Sequence, residues 1–114
     1  RGIIDYLGLD FIGIADKKES IPYGFVLEQN YPNPFNSKTT IQYSLLHENK
    51  VTIILYDLKG SHIKTLINDR QTPGVKTLLW NGKNNRGESV HTGIYIYSMI
   101  SGNITANRKM IYLK

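Results

Sequence analysis

A chain of 114 residues with a net charge of +5 and no cysteine fits one domain plus a short leftover, long enough for one core. The missing cysteines exclude disulfides and thiolate metal sites, and no apolar run approaches the ~18 residues of a membrane span. Basic residues are adjacent only at Lys17-Lys18 and Arg108-Lys109, a solvated surface rather than the basic stripe that nucleic acid requires.

In chain order, residues 1–15 are apolar and broken by Gly8 and Gly13, which reads as a remnant strand of a preceding domain. Residues 16–24 are polar, charged and proline-marked, and form the expected linker. Arg1 follows neither a Met nor a charged-then-apolar leader, so the chain reads as the end of a longer protein. The domain proper is placed at residues 25–114.

Phe25-Val26-Leu27 leads into Gln29-Asn30-Tyr31-Pro32-Asn33-Pro34-Phe35-Asn36. Each proline fixes φ and removes a backbone donor. Tyr31 and Asn33, each preceding a proline, are biased toward extended backbone. A stiff, extended lead-in is expected, unable to join the middle of a sheet, with Phe35 or Tyr31 docked as an aromatic anchor. By residue physics alone this is a rigid corner and says nothing of function.

Residues 39–45 alternate, with Ile41, Tyr43 and Leu45 on one face, and predict a half-buried strand. After the polar turn 47–50, residues 51–57 predict a second strand with Val51, Ile53 and Leu55 inward. Ile54 and Tyr56 make its other face partly apolar, so it is central in its sheet. Asp57-Leu58-Lys59-Gly60 supplies a hairpin turn and residues 62–68 the return strand. A turn at 71–74 leads to a strand at 75–80 with Leu78 and Trp80 on one face. The polar loop 81–88 follows, then a short segment 89–92 and a bend at Gly93. Strands at 94–100, with Tyr95, Tyr97 and Met99 on one face, and at 105–113 complete the chain. About seven short strands with frequent turns predict an all-β, antiparallel, Ig-like β-sandwich, with a small barrel as competitor. Trp80 is expected in the core, against Tyr95 or its neighbours.

Catalytic chemistry is not evident. His47, His62 and His91 sit by separate turns, without the spacing that metal ligation requires. No Gly-x-Ser-x-Gly elbow or phosphate-cradling loop is present, so no enzyme and no cofactor are expected. Loop 81–88 offers the amides Asn81, Asn84 and Asn85 but one carboxylate, Glu88, beside Lys83 and Arg86, which is poor calcium chemistry. Asn103-Ile104-Thr105 fits an N-glycosylation pattern but reads better as a strand-opening turn.

Several ordered motifs together resemble the class A C-terminal sorting domains of the type IX (Por) secretion system. They are Phe25-Val26-Leu27-Glu28-Gln29-Asn30-Tyr31-Pro32-Asn33-Pro34-Phe35-Asn36, the strand at 39–45, and Tyr56-Asp57-Leu58-Lys59-Gly60. Trp80-Asn81-Gly82 with Gly87, Gly93-Ile94-Tyr95, and Arg108-Lys109-Met110 with Lys114 complete the set. Ser37-Lys38 departs harmlessly from the pattern, while Asn81 and Asn84 replace the family's usual Asp and weaken ion binding further. A fainter resemblance, over Trp80-Asn81-Gly82, Gly87, Gly93 and Tyr95, is to the Ig-like domain of the flagellar hook-cap protein.

The resemblance implies a passive address label on secreted cargo, read by outer-membrane secretion machinery. It also implies cleavage by a sortase-like protease and attachment at the cell surface of a Gram-negative bacterium, reached through the periplasm. The residues it points to for partner recognition are Tyr31, Pro32, Asn33, Pro34, Phe35 and Asn36 at the corner, Gly93 and Tyr95, and Lys109, Met110, Leu113 and Lys114. The alternative is a structural or glycan-binding accessory module of a secreted multidomain enzyme. The apolar end Ile111-Tyr112-Leu113 must be paired in the sheet or read by a partner. The resemblance favours the second, by β-strand addition, with charge from Lys109 and Lys114.

Overall fold

Alternating apolar residues generate seven strands in the computed structural model, which describes residues 24–114. The expected remnant strand and all of the linker but Gly24 lie outside the described residues. The strands are β1 (Phe25–Leu27), β2 (Thr39–Leu45), β3 (Asn49–Asp57), β4 (His62–Gln71), β5 (Gly74–Trp80), β6 (Gly93–Ser101) and β7 (Ile104–Tyr112). Three make one antiparallel sheet in the order β1-β2-β5, and four make the other in the order β4-β3-β6-β7. The chain is a β-sandwich.

Each sheet turns one side-chain set inward, as the period of two demands. Ile41, Tyr43 and Leu45 from β2 meet Val51, Ile53 and Leu55 from β3 and Tyr95, Tyr97 and Met99 from β6, all buried. β3 lies between β4 and β6, the central place its two-faced apolar pattern predicts. The β3–β4 hairpin closes on Asp57, whose carboxylate accepts bonds from the N–H groups of Lys59 and Ser61 while Gly60 takes φ +86°.

Some boundaries differ from expectation. β4 runs three residues beyond Asn68, because Asn68–Gln71 pair with Asn49–Thr52, which start β3 earlier than predicted. Thr72 and Pro73, in the predicted turn, carry the chain from one sheet to the other.

Trp80 ends β5 and is 1% exposed. Its ring meets Tyr95 edge-on at 5.4 Å, as expected, and its indole N–H donates to the Lys83 carbonyl at 2.8 Å. The Tyr95 hydroxyl donates to the His91 carbonyl four residues back at 2.5 Å, the geometry of the tyrosine corner of Ig-like sandwiches. Trp80→Ala is expected to cost about 3–5 kcal/mol, a large share of the ~5–15 available to such a domain. Chemical denaturation checks this, and a loss below about 1 kcal/mol would contradict the core position.

Candidate functional site

The proline corner is built by its own polar residues. Asn30 is only 2% exposed, and its amide donates to the Thr39 hydroxyl at 3.0 Å and the Pro32 carbonyl at 3.2 Å. Thr39 in turn donates to the Pro32 carbonyl at 2.8 Å. A buried amide needs such partners, and here they bend the chain back on itself. Tyr31 exchanges backbone bonds with Thr40, both 2.9 Å. The Tyr31-Pro32 and Asn33-Pro34 peptides are both cis. The segment is thus a compact corner, not the extended lead-in expected: Asn30 and Thr39 fold it around the Pro32 carbonyl.

From this corner the chain reaches the far edge of β7. Phe35 N–H donates to the Ile111 carbonyl at 3.0 Å, and Leu113 N–H donates to the Phe35 carbonyl at 2.9 Å. The Asn33 side-chain oxygen accepts from Ile111 N–H at 2.9 Å, and the Gln29 amide donates to the Lys109 carbonyl at 2.6 Å. At the end of the last strand, the Lys109 carbonyl and both outward backbone groups of Ile111 therefore have partners inside the chain. The expected β-strand addition at this end meets an occupied edge, because these bonds satisfy the groups a partner would need.

Side chains lock the same junction. Phe35, 3% exposed, stacks on Tyr112 at 4.8 Å and 18° and meets Trp80 edge-on at 5.5 Å. Gly82 has φ +76°, and a Cβ there would lie 2.7 Å from the Tyr112 ring, so only glycine lets the loop close over it. Where β1 leads into the corner, Arg108 Nε donates to the Leu27 carbonyl at 3.1 Å and the Tyr97 hydroxyl to the Glu28 carbonyl at 2.7 Å.

The residues singled out from sequence divide into two groups. Phe35, Tyr95 and Met110 are buried, Phe35 at the junction itself and Tyr95 against Trp80. Gly93 is half-buried and pairs with Tyr112. Tyr31, Pro32, Asn33, Pro34, Asn36, Lys109, Leu113 and Lys114 are exposed. Pro32, Pro34, Phe35, Asn36, Leu113 and Lys114 line one shallow groove of about 400 Å³, so the corner and the chain end form a single surface. Gln29, Asn30, Thr39, Gly82 and Tyr112 lie in stretches the sequence singles out but not among its recognition candidates, and the structure adds them as the residues that build the junction. The pairing of Asn30 with Thr39 across the prolines was the available hint.

Loop 81–88 satisfies itself. The Asn84 side-chain oxygen accepts from Arg86 and Glu88 N–H groups, its amide donates to the Glu88 carboxylate, and Arg86 pairs with Glu88 at 3.4 Å. Among the described residues no three His, Asp or Glu side chains gather as a metal group would require.

Residues 29–113 match the family model of the secretion system C-terminal sorting domain. The chain belongs to this type IX (Por) family. No curated protein matches. Among solved structures, it is similar to dimeric latent PorU from Porphyromonas gingivalis, with a TM-score of 0.64 at 15% identity, a likeness of fold. The match covers 88% of this chain and 10% of that one, so the sorting domain spans about a tenth of its length.

Burial pushes the Tyr97 phenol up to about 12 from the usual 10.0, and burial also raises Tyr43 and Tyr95. The folded chain holds these protons more tightly than the unfolded one. The Tyr97 contribution is thus present below pH 10 and lost as pH rises through about 12. Thermal melts are expected to fall across that window, less steeply in Tyr97→Phe; equal slopes would contradict the assignment. Removing calcium with a chelator is expected to leave the midpoint unchanged, whereas a fall of several degrees would place an ion in loop 81–88.

Proposed function

We propose that residues 25–114 are a folded, non-catalytic address label that directs an upstream cargo through the type IX system across the outer membrane. The observation that carries this reading is the meeting of two separated motifs, the corner at 29–36 and the chain end at 109–114, in one exposed surface, all but Lys114 within the matched region. Recognition is assigned to the exposed members: Tyr31, Pro32, Asn33, Pro34 and Asn36, with Lys109, Leu113 and Lys114. Phe35, Tyr95, Gly93 and Met110 act by holding that surface in shape. Rigid, mostly apolar residues flanked by two ammonium groups suit a partner with an apolar patch and acidic rim.

On this reading the cargo passes through the periplasm and ends outside the cell or on its surface. Removal by a sortase-like protease and surface attachment belong to the same proposal. No helix among the described residues is long and apolar enough to cross a membrane, so nothing helical there competes with export.

The test is a reporter fused ahead of residues 16–114 in a type IX-competent cell. The unaltered fusion is expected outside, and a fusion lacking Met110–Lys114 in the periplasm. That deletion also removes the buried Met110 and Tyr112, so a melt must accompany it. The cleaner variant is Tyr31→Ala with Lys109→Glu and Lys114→Glu, all at exposed positions. It is expected to keep its melting midpoint while export falls about tenfold, equivalent to ~1.4 kcal/mol of lost recognition. Full export of a folded triple variant would remove this surface from the signal and favour the accessory-module reading.

A further inference from the structure

A sandwich has four strand edges, and three of these are blunted from within. The β7 edge is closed by Phe35, Asn33 and Gln29 from Lys109 to Leu113. On β4, Asn85 caps the edge at both Ile63 and Thr65. β1 is three residues long, and Arg108 takes the Leu27 carbonyl beside it. The β5 edge differs: among the described residues no backbone or side-chain group bonds its outward N–H and C=O groups.

Which groups those are follows from the register. Thr40 exchanges its backbone bonds with Tyr31 on the β1 side, so its partner across the sheet, Leu79, points its own groups away from β2. By the same alternation Val75 and Thr77 do likewise. The side chains of these three residues also lie on the outer face of the sheet, and Val75 and Leu79 are 66% and 64% exposed. A seven-residue edge whose outward backbone has no partner among the described residues, with exposed aliphatic side chains, is a template for another strand.

We infer that β5 pairs antiparallel with β5 of a second copy of this chain, about a two-fold axis through Thr77. In that register Val75 lies opposite the partner copy's Leu79, and Thr77 opposite its own counterpart. Val75, Thr77 and Leu79 each present one donor and one acceptor, so the two copies exchange six backbone bonds and leave none of these groups open. The outer face gains two Val–Leu pairs flanking a Thr–Thr pair, all favourable across strands. On the inner face Lys76 lies opposite Leu78, so no ammonium faces another. The strand thus complements itself in the register that satisfies its backbone, and the contact is isologous and closed. The two three-stranded sheets become one six-stranded sheet, with both corner surfaces at its far sides.

The test uses the full 114-residue chain and sedimentation equilibrium from micromolar to millimolar concentration. A monomer–dimer equilibrium is expected. Thr77→Lys and Thr77→Glu each place like charges at the two-fold axis, and each is expected to raise Kd at least about fivefold. Both side chains project into solvent, so melting midpoints serve as the check on folding. Mixing the two variants places opposite charges across the axis and is expected to restore association. A wild-type chain that stays monomeric throughout, including through coverage of β5 by residues 1–23, overturns the inference. So does a dimer that neither substitution weakens, or a mixture that fails to associate. None of these readouts involves secretion, so they stand or fall apart from the sorting role.

Discussion

The shape of the C-terminal end depends on Phe35 acting as a single-residue strand beside Tyr112. Its backbone closes the edge of β7 while its ring fills the space between Tyr112 and Trp80. The two roles reinforce each other. An edge strand left open is a site for unwanted pairing, and an aromatic ring without a pocket gains little burial. Placing both on one residue ties the order of the corner to the order of the core. Asn30 then acts as the internal brace, since its buried amide is satisfied only when Pro32 and Thr39 are both in place.

Much of the fold was legible because it is local. Alternation in β2, β3 and β6 identified which residues face inward, and those side chains are the buried ones. Trp80 against Tyr95 followed from their inward faces on β5 and β6, which meet across the two sheets. The corner was misread because proline stiffness is local too, whereas the forces that bend this segment are not. A side-chain oxygen of Asn33 accepting from Ile111, 78 positions away, leaves no periodic trace in a sequence. The β4–β5 passage between sheets was obscure for the same reason: Thr72-Pro73 announces a turn and says nothing about which sheet comes next.

The motif residues did not sort themselves into surface and core. Phe35, Tyr95 and Met110 stand among the most characteristic members of the resemblance, yet all three are buried. Their neighbours Pro34, Asn36, Lys109 and Leu113 are exposed. A motif of this kind records the whole junction, the groups displayed together with those that fix the display. Only the geometry separates them, because a buried ring and an exposed ring look alike in a string of letters. Tyr31, at 80% exposed, is the clearest case: it occupies an aromatic position that sequence alone treats as an anchor.

A folded address label has a physical advantage over an unstructured one. A disordered tail loses conformational entropy when it is read, which weakens binding for a given contact area. Here that cost is met during folding, by the backbone bonds of Phe35 and the stacked rings behind them. The same arrangement makes the surface conditional. Pro32, Pro34 and Asn36 acquire Leu113 and Lys114 as neighbours only after β7 has docked on β6, and β7 is the last strand in the chain. On the sorting reading, the composite surface therefore forms only on chains whose domain has completed its fold. A partner that requires both halves discriminates folded from unfolded cargo tails without testing the core directly.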